Sequence, residues 1–351
     1  MFFCLPGQSE PQNEPSVDLD QTNNAGIVAQ SAMQNSPKAV PELNLSEFVN
    51  TFGQDLKRRY GYRVHKLAVN AGFTCPNRDG SKGRGGCTFC NNVSFSPNAR
   101  ELPDIAKQIA KGREVIAKRT RADRFLVYFQ AYTNTYADVV ALDRQYRQAL
   151  SEPDVVGLSI GTRPDCVPPA VLDLLASYRD EGYEIWLELG LQSAFDATLR
   201  QVNRGHDFAA YQVAVNAARQ RGLPVCAHLI VGLPGEDGSH ALESLRRVLD
   251  EGVEGIKLHP LHVVKGTMLA NQWRLGKYAP MALDAYVEAV VQLVAHTPKA
   301  VVYHRLTGTA PKEILLAPSW CNKKWIVLNG ITNRLADSGV MQGSAVVVRD
   351  G

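Results

Sequence analysis

Hydrophobic positions along the chain fall into two alternating patterns. Short apolar runs, typical of buried strands, are separated by longer segments in which apolar residues recur every three or four positions, as on one face of a helix. The predicted strands are Arg63–Ala71, Phe125–Gln130, Val155–Gly161, Tyr183–Leu189, Val225–Val231 and Gly255–Leu261. The predicted helices are Leu45–Tyr60, Leu102–Arg119, Val139–Leu150, Pro168–Glu181, a helical stretch ending at Gly222, Ala241–Gly252 and Leu283–Ala295. This alternation predicts an α/β protein with a parallel sheet, either doubly wound or curled into a partial barrel.

The ends of the chain differ from this central part. Residues 1–43 are rich in Ser, Asn, Gln and Pro and lack apolar periodicity, which predicts a disordered tail. The core is assigned to residues 44–296. Residues 297–351 form a small C-terminal extension in which Trp320 and Trp325 flank two lysines. Aromatic rings beside lysines suit stacking on a base and contact with phosphate, so this extension is a candidate substrate-binding cap.

Composition and charge narrow the class of protein. The chain is 45% hydrophobic and 21% charged, has seven cysteines, and contains no apolar run of membrane-spanning length. An odd cysteine count and the lack of a secretion signal predict a cytoplasmic protein without a membrane partner. The net charge is +3, but residues 78–124 hold eleven basic against five acidic residues and residues 299–334 hold six against one. These segments favour an RNA or phosphate-bearing partner, although solvated helix faces would give the same pattern.

Three of the seven cysteines, Cys75, Cys87 and Cys90, lie in a glycine-rich loop after the first predicted strand. Eleven residues separate the first two, and two residues separate the last two. Thiolates gathered in this way bind zinc or an iron-sulfur cluster. A structural zinc site needs a fourth ligand, for which His65 and Cys166 are poorly placed, whereas three thiolates suit a [4Fe-4S] cluster with one open iron.

The sequence Cys87-Thr-Phe-Cys90, with an aromatic residue before the last cysteine, resembles the cluster loop of the radical S-adenosylmethionine (SAM) superfamily. The first gap is longer than is usual there, and in this it is similar to the Elongator catalytic subunit and to the YhcC/YtqA-like proteins. The resemblance implies that Cys75, Cys87 and Cys90 bind a [4Fe-4S] cluster. It also implies a partial (β/α)6 TIM-like barrel with its chemistry at the carboxyl ends of the strands.

Polar residues follow the second and third predicted strands. Gln130 and Thr133 stand where the superfamily usually has a Gly-Gly-Glu-like run that grips the methionine amino group of SAM, so both are candidate SAM ligands. Thr162 and Arg163 follow the third strand, and Arg163 and Asp165 bracket a proline. Because an unpartnered buried charge is costly, this pair is expected to line a cavity or to form a structural ion pair.

The fourth strand carries the run Glu188-Leu-Gly-Leu-Gln192, which is followed by Asn203-Arg204. This arrangement resembles Elongator-type and coproporphyrinogen-dehydrogenase-type radical SAM enzymes, in which the glutamine faces the ribose and the arginine pairs with the methionine carboxylate. The resemblance assigns these roles to Gln192 and Arg204, and the planar fork of arginine suits a carboxylate. Since a glutamate within an apolar strand must be hydrogen-bonded, Glu188 is assigned to the ribose diol.

The fifth and sixth predicted strands supply further candidates. The turn Gly232-Leu-Pro-Gly235 lets the backbone approach a flat ring such as adenine. His228 lies where relatives place a ribose-contacting residue, and it is a candidate catalytic residue as well. His259 and His262 are expected to point to opposite faces of the sixth strand, which argues against a metal site built from both.

The ordered motifs resemble a radical SAM enzyme of the YhcC/YtqA-like family. This implies reductive cleavage of SAM to methionine and a 5'-deoxyadenosyl radical that abstracts hydrogen from the substrate, with flavodoxin or ferredoxin as reductant. Relatives are implicated in trimming the carboxymethylaminomethyl group of tRNA wobble uridine to aminomethyl, so tRNA is the expected partner and DNA is not.

The sequence leaves two alternatives to this function open. One is oxidation of a small metabolite whose carboxylate is held by Arg163 or Arg305. The other is a zinc-stabilised RNA-binding module without catalysis. Cys321 is a candidate hydrogen donor or an inert buried thiol.

Overall fold

The computed structural model describes residues 43–91, 104–117, 120 and 122–346. The predicted disordered tail lies outside these residues except for Leu43, as do both ends of the helix predicted at Leu102–Arg119. The strands are β1 (Val64–Val69), β2 (Arg124–Phe129), β3 (Val155–Thr162), β4 (Glu184–Gln192), β5 (Val225–Val231), β6 (Gly255–Pro260), β7 (Val263–Val264), β8 (Val302–Arg305) and β9 (Leu315–Ala317). The helices are α1 (Leu45–Phe48), α2 (Phe52–Tyr60), α3 (Ile105–Ala117), α4 (Val139–Leu150), α5 (Pro169–Asp180), α6 (Asp196–Gln201), α7 (Phe208–Arg219), α8 (Gly238–Asp250), α9 (Met268–Arg274), α10 (Leu283–Ala295) and α11 (Lys324–Ser338).

Seven strands form one parallel sheet in the order β1-β2-β3-β4-β5-β6-β8. The sheet is curled, because Lys66 Nζ on β1 lies 3.0 Å from His304 Nδ1 on β8 although these strands are at opposite edges. The predicted partial barrel is therefore confirmed, with one strand more than the six predicted. Because β8 belongs to the same sheet, the barrel does not end at residue 296 as the sequence analysis assumed.

The two faces of the sheet explain the hydrophobic pattern. On the outer face the strands pack against the helices in the main hydrophobic core, to which Val127, Leu158, Leu187, Leu229 and Leu258 belong. Alternate residues point into the barrel, since successive side chains of a strand point to opposite faces. At the amino end of the strands these inner residues are largely apolar and form a second cluster: Phe52, Leu56, Val64, Leu126, Trp186, Cys226 and Val302. Farther along the strands the inner residues become polar.

The helix predicted at Leu45–Tyr60 is interrupted between α1 and α2. The Tyr303 N–H of β8 donates to the carbonyl oxygen of Asn50 at 2.8 Å, and Thr51 pairs with Tyr303 as an isolated parallel bridge. Pairing with the edge of the sheet thus outweighs the local helical pattern. Among the described residues, no helix is long and apolar enough to cross a membrane.

Gly157 of β3 lies so close to β4 that a Cβ atom there would be 1.9 Å from the carbonyl oxygen of Glu184. We expect Gly157→Ala to lower the free energy of unfolding by about 3 kcal/mol or more, because backbone on both strands would have to shift. Urea denaturation of the purified protein measures this loss. As a matched control, Gly53 of α2 has no atom within 4 Å of an added Cβ, so Gly53→Ala is expected to be neutral or stabilising by up to about 1 kcal/mol. Equal effects of the two substitutions would contradict the prediction.

Candidate active site

A cavity opens at the carboxyl ends of the strands and encloses about 1140 Å³, including the part that is open to solvent. Parallel barrels carry their active sites at this end. The structure brings ten of the predicted site residues to its wall: Cys75, Cys87, Cys90, Gln130, Thr133, Thr162, Arg163, Gln192, Arg204 and His228. Residues that the sequence analysis did not single out also line it, among them Arg78, Tyr128, Tyr132 and Ile230. The polar side chains therefore converge on one space, as in a ligand-binding pocket.

The eleven-residue gap in the cysteine loop folds back on itself. Asp79 and Arg84 form an antiparallel bridge within the gap, so the chain returns to its starting point. Cys90 N–H then donates to the carbonyl oxygen of Cys87 at 3.0 Å. In consequence Cys75, Cys87 and Cys90 all lie at the cavity despite the unusual spacing.

Two asparagines fasten this loop to the segment that follows α6. The Asn77 side chain donates to the Asn203 carbonyl oxygen at 2.6 Å, and the Asn203 side chain donates to the Gly86 carbonyl oxygen at 2.8 Å. Asn203 has a φ of +52°, which is uncommon for a residue other than glycine and is often found at functional sites. At Gly83 a Cβ would lie 2.4 Å from Asn77 Oδ1, so this position requires glycine. Sequence reasoning missed Asn77 and named Asn203 only as part of the Asn203-Arg204 motif, because an asparagine alone does not indicate such a contact.

The chemistry of the three thiols fits a cluster better than a single metal ion. All three are free; Cys87 is buried and the other two are half-buried. Burial, together with the neighbouring Cys87 and Cys75, raises the pKa of Cys90 to about 12, so a bound cation is needed to hold the thiolates. A structural zinc site is closed by four protein ligands, whereas this loop supplies three thiols, as a [4Fe-4S] cluster with one open iron requires.

Arg204 lies beside the cysteines. Its Nη1 is 3.5 Å from Cys87 Sγ, its Nη2 donates to the Gly190 carbonyl oxygen, and its buried Nε has no partner in the described part of the chain. Gln192, with a φ of +81°, is next to it. A Cβ at Gly190 would lie 2.8 Å from Gln192 Nε2 and 2.9 Å from Arg204 Nη2, so glycine there makes room for both side chains. The unpartnered guanidinium N–H next to the thiols is suited to a carboxylate ligand.

Arg163 and Asp165 form a structural ion pair at the cavity wall. Arg163 Nε and Nη2 each donate to the Asp165 carboxylate at 2.9 Å, and Nη1 donates to the Arg204 carbonyl oxygen at 2.8 Å. Burial opposes ionisation of Asp165, but the hydrogen bonds from Arg163 and Lys82 outweigh it and hold the pKa of this carboxyl well below its usual value. Arg163 therefore both lines the cavity and forms an ion pair, which were the two predicted alternatives. Because its guanidinium is hydrogen-bonded to these protein groups, it positions the backbone of Arg204.

The threonines and Gln130 supply uncharged polar groups. Thr162 Oγ1 lies 2.5 Å from Thr135 Oγ1, which fixes the end of β3 against the segment after β2. Thr133 is fully buried, and its hydroxyl has no hydrogen-bond partner among the described residues. An orphaned buried hydroxyl in a cavity wall is costly unless a ligand satisfies it. Thr133 therefore fits a polar ligand such as an amino group.

Glu188 is fully buried beneath the cavity and does not line it. One carboxylate oxygen accepts from Lys66 and Ser159, and the other accepts from Lys257 and His228, both at 2.6 Å. With both oxygens engaged by protein groups, Glu188 is not available to a ribose, which differs from the predicted role. We refer to Glu188, Lys66, Lys257 and His228 as the interior network.

Burial and neighbouring charges shift the pKa values of the groups in the interior network. Burial alone would raise the pKa of Glu188, but the two lysines outweigh it and hold this pKa well below the usual value. Burial lowers the pKa of Lys257 to about 8 and that of His228 to about 4, so His228 is neutral at pH 7. Glu188, Cys226 and His228 have ligand atoms within 4.8 Å of one another, but the adjacent ammonium groups oppose a metal cation there.

Four predicted residues do not reach the cavity wall, since Gly232, Gly235 and Cys321 are absent from it in addition to Glu188. The turn glycines do have positive φ values of 90° and 81°, but Ile230 lies at the cavity in their place. Cys321 is buried at 1% exposure, and burial raises its pKa to about 12, as for an inert thiol.

His259 and His262 both line the cavity, with ring centres 4.8 Å apart, which differs from the predicted opposite orientation. The strand ends at Pro260, so strict alternation no longer applies to His262.

Fold and site together define an α/β partial-barrel protein with three thiols and a polar cavity at the carboxyl ends of its strands. The radical SAM superfamily profile matches residues 73–248, and the profile of the radical SAM C-terminal domain matches residues 253–337. The chain is 53% identical to the protein YhcC of Escherichia coli (strain K12) over 304 residues, which are 87% of this chain and 97% of that protein. It is 39% identical to YtqA of Bacillus subtilis (strain 168) over 89% of this chain and 96% of that protein.

The chain therefore belongs to the radical SAM superfamily, in the group that contains YhcC and YtqA. Its fold is also similar to that of the archaeal Elp3 of Methanocaldococcus infernus, with a TM-score of 0.59 and 18% identity over 80% of this chain and 64% of that one. The protein is accordingly an enzyme that uses a [4Fe-4S] cluster and SAM and needs a reductant. A zinc-stabilised module without catalysis is ruled out by this membership.

Proposed function

We propose that this enzyme trims the carboxymethylaminomethyl group of tRNA wobble uridine to aminomethyl. In the proposed site Cys75, Cys87 and Cys90 hold the cluster, and Arg204 binds the SAM carboxylate. When bound, the cluster and SAM would supply a 5'-deoxyadenosyl radical that removes hydrogen from the substrate. SAM would thereby serve as the two-electron oxidant of the N–CH2 carbon, and addition of water would release the two-carbon fragment as glyoxylate. The protein orients the reactants and excludes competing reactions. We expect flavodoxin or ferredoxin to provide the electron.

The assignment of the SAM ligands is supported by unsatisfied polar groups around the cysteines. Within the described ranges, Arg204 Nε and Thr133 Oγ1 are buried without partners, and both residues line the cavity. Arg204 suits the methionine carboxylate and Thr133 the amino group, since a charged guanidinium attracts an anion and a hydroxyl oxygen accepts from an ammonium. Gln192 and neutral His228 present hydrogen-bonding groups suited to the ribose, and Gln130 is a further candidate for the amino group.

The RNA substrate is supported by an exposed aromatic and basic surface at the start of α11, which is the single observation that carries this part of the proposal. Trp325 is 69% exposed, and Lys324 Nζ lies 5.4 Å from the centre of its indole ring. Burial and the charge of Arg305, which lines the cavity, lower the pKa of Lys324. An exposed ring beside ammonium groups suits base stacking and phosphate contact.

Nucleoside analysis of bulk tRNA tests this function. Cells that lack the gene are expected to accumulate carboxymethylaminomethyluridine and to lose aminomethyluridine, and expression of the gene should reverse both changes. A Cys87→Ala copy serves as the inactive control. An unchanged nucleoside profile would contradict the tRNA proposal and would favour the alternative substrate, a small carboxylate-bearing metabolite. Arg305 is the cation available for that acid, because Arg163 is held by Asp165.

A further inference from the structure

Arg305, at the end of β8, lines the cavity, and its charge has no partner among the described residues. Its Nε is buried and unsatisfied there, and the hydrogen bonds and ion pairs of the same residues include none from this guanidinium. Arg163 and Arg204, which also line the cavity, have protein acceptors in Asp165 and the Gly190 carbonyl oxygen. Arg78, a further arginine of the cavity wall, is exposed, and its Cζ lies 5.9 Å from the centre of the Tyr132 ring. A half-buried guanidinium without an acceptor is costly, and a ligand anion would remove that cost.

The surroundings of Arg305 add to the positive charge. Its register partner across the sheet is Lys257, whose ammonium donates to Glu188 at 2.6 Å and to Tyr128 Oη at 2.8 Å, leaving a third N–H. Lys66 is bound to the same carboxylate. Among the described residues, Lys66 and Lys257 are both paired with Glu188, whereas Arg305 is paired with no carboxylate. A ligand anion would offset this surplus of positive charge.

His262 provides a second unsatisfied donor or acceptor at the same place. It is 6% exposed, lines the cavity and has a buried Nδ1 without a partner among the described residues. Arg305 lines the same cavity, and burial together with the charge of Arg305 lowers the pKa of His262. A neutral imidazole with one free N–H can donate to an anion held by the guanidinium.

We propose that Arg305, Lys257 and His262 form a subsite for the carboxylate of the substrate. This inference deepens the proposed function, on which it rests for the identity of the acid. The SAM carboxylate is better served by Arg204, whose Nη1 is 3.5 Å from Cys87 Sγ. Arg305 is instead the register partner of Lys257 and lines the same cavity as His262. The enzyme would then select the acid and release a product that has lost its carboxylate.

Ligands that differ only in this charge test the subsite. The probes are an anticodon stem-loop RNA with carboxymethylaminomethyluridine and the same RNA with the neutral primary amide in place of the acid. N-methylglycine and its primary amide carry the same group without RNA. Affinities are measured by calorimetry on the anaerobic, cluster-loaded protein with SAM. We expect the wild type to bind each acid about 10- to 100-fold more tightly than its amide, and Arg305→Met to abolish this ratio.

The matched control is Arg334→Met, which removes a surface arginine paired with Glu288 and should keep the wild-type ratio. Equal affinity of the wild type for acid and amide, or an equal loss for both in Arg305→Met, would overturn the subsite. If the protein binds N-methylglycine more tightly than its primary amide but binds neither RNA, the subsite is supported and the tRNA function fails. If the acid RNA binds and Arg305→Met keeps its acid-to-amide ratio, the subsite fails and the tRNA function is unaffected.

Discussion

Replacing Cys87 by alanine is expected to abolish iron binding and the reductive cleavage of SAM. Cys87 is the buried member of the three thiols and contacts Arg204, so its loss removes a cluster ligand and the neighbour of the proposed SAM carboxylate site. Substituting a residue that only hydrogen-bonds to a metal ligand lowers metal affinity or activity by about 10- to 100-fold. Loss of a ligand itself should therefore lower SAM cleavage by at least about 100-fold. Iron content, the visible absorption of the cluster and release of 5'-deoxyadenosine under anaerobic conditions measure the effect.

Cys321→Ala is the matched control for this substitution. Cys321 is also buried, at 1% exposure, but it does not line the cavity. We expect this variant to retain iron and SAM cleavage within about twofold, since an inert thiol contributes only packing. The assignment would be wrong if Cys87→Ala kept a full cluster, or if Cys321→Ala lost SAM cleavage while remaining folded.

The fold was largely predictable because the outer face of each strand is apolar. Runs such as the one around Leu187 pack against helices and are read directly as buried strands. The strand β8 was missed for a physical reason. It has four residues, is half-buried at His304 and Arg305, and is stabilised by pairing with β6 and with Asn50, far away in sequence. Local periodicity carries no information about such pairings.

The positions of site residues that belong to a motif were predictable from the sequence. The role of a residue was harder to predict where its hydrogen-bond partners come from distant strands of the barrel. The motifs located the cavity wall, from the cysteine loop to Gln192 and Arg204. They gave the wrong surroundings for Glu188, because its partners Lys66 and Lys257 come from β1 and β6. The sequence did contain a clue, because side chains alternate between the two faces of a strand and this alternation places a lysine on the inner face of β1 and of β6.

Replacing Glu188 by alanine is expected to lower the free energy of unfolding by about 3–5 kcal/mol, the usual cost of removing one member of a buried charge network. The carboxylate is fully buried and compensates Lys66 and Lys257, so its loss leaves two ammonium groups beneath the cavity without a counter-charge. Chemical denaturation at pH 7 measures the loss. As a matched control, Glu181 pairs with Arg147 at the surface, and Glu181→Ala should cost about 1 kcal/mol or less.

The pH dependence separates the charge of Glu188 from its packing. Because its folded pKa is depressed, the carboxylate contributes stability that is present above the unfolded pKa of about 4.3 and is lost as the pH falls below it. Glu188→Gln keeps the shape but removes this titration, so its stability should fall less steeply than that of the wild type below that pH. Parallel stability curves for the two proteins, or a cost for Glu188→Ala no larger than for Glu181→Ala, would show that the buried carboxylate does not hold the two lysines in place.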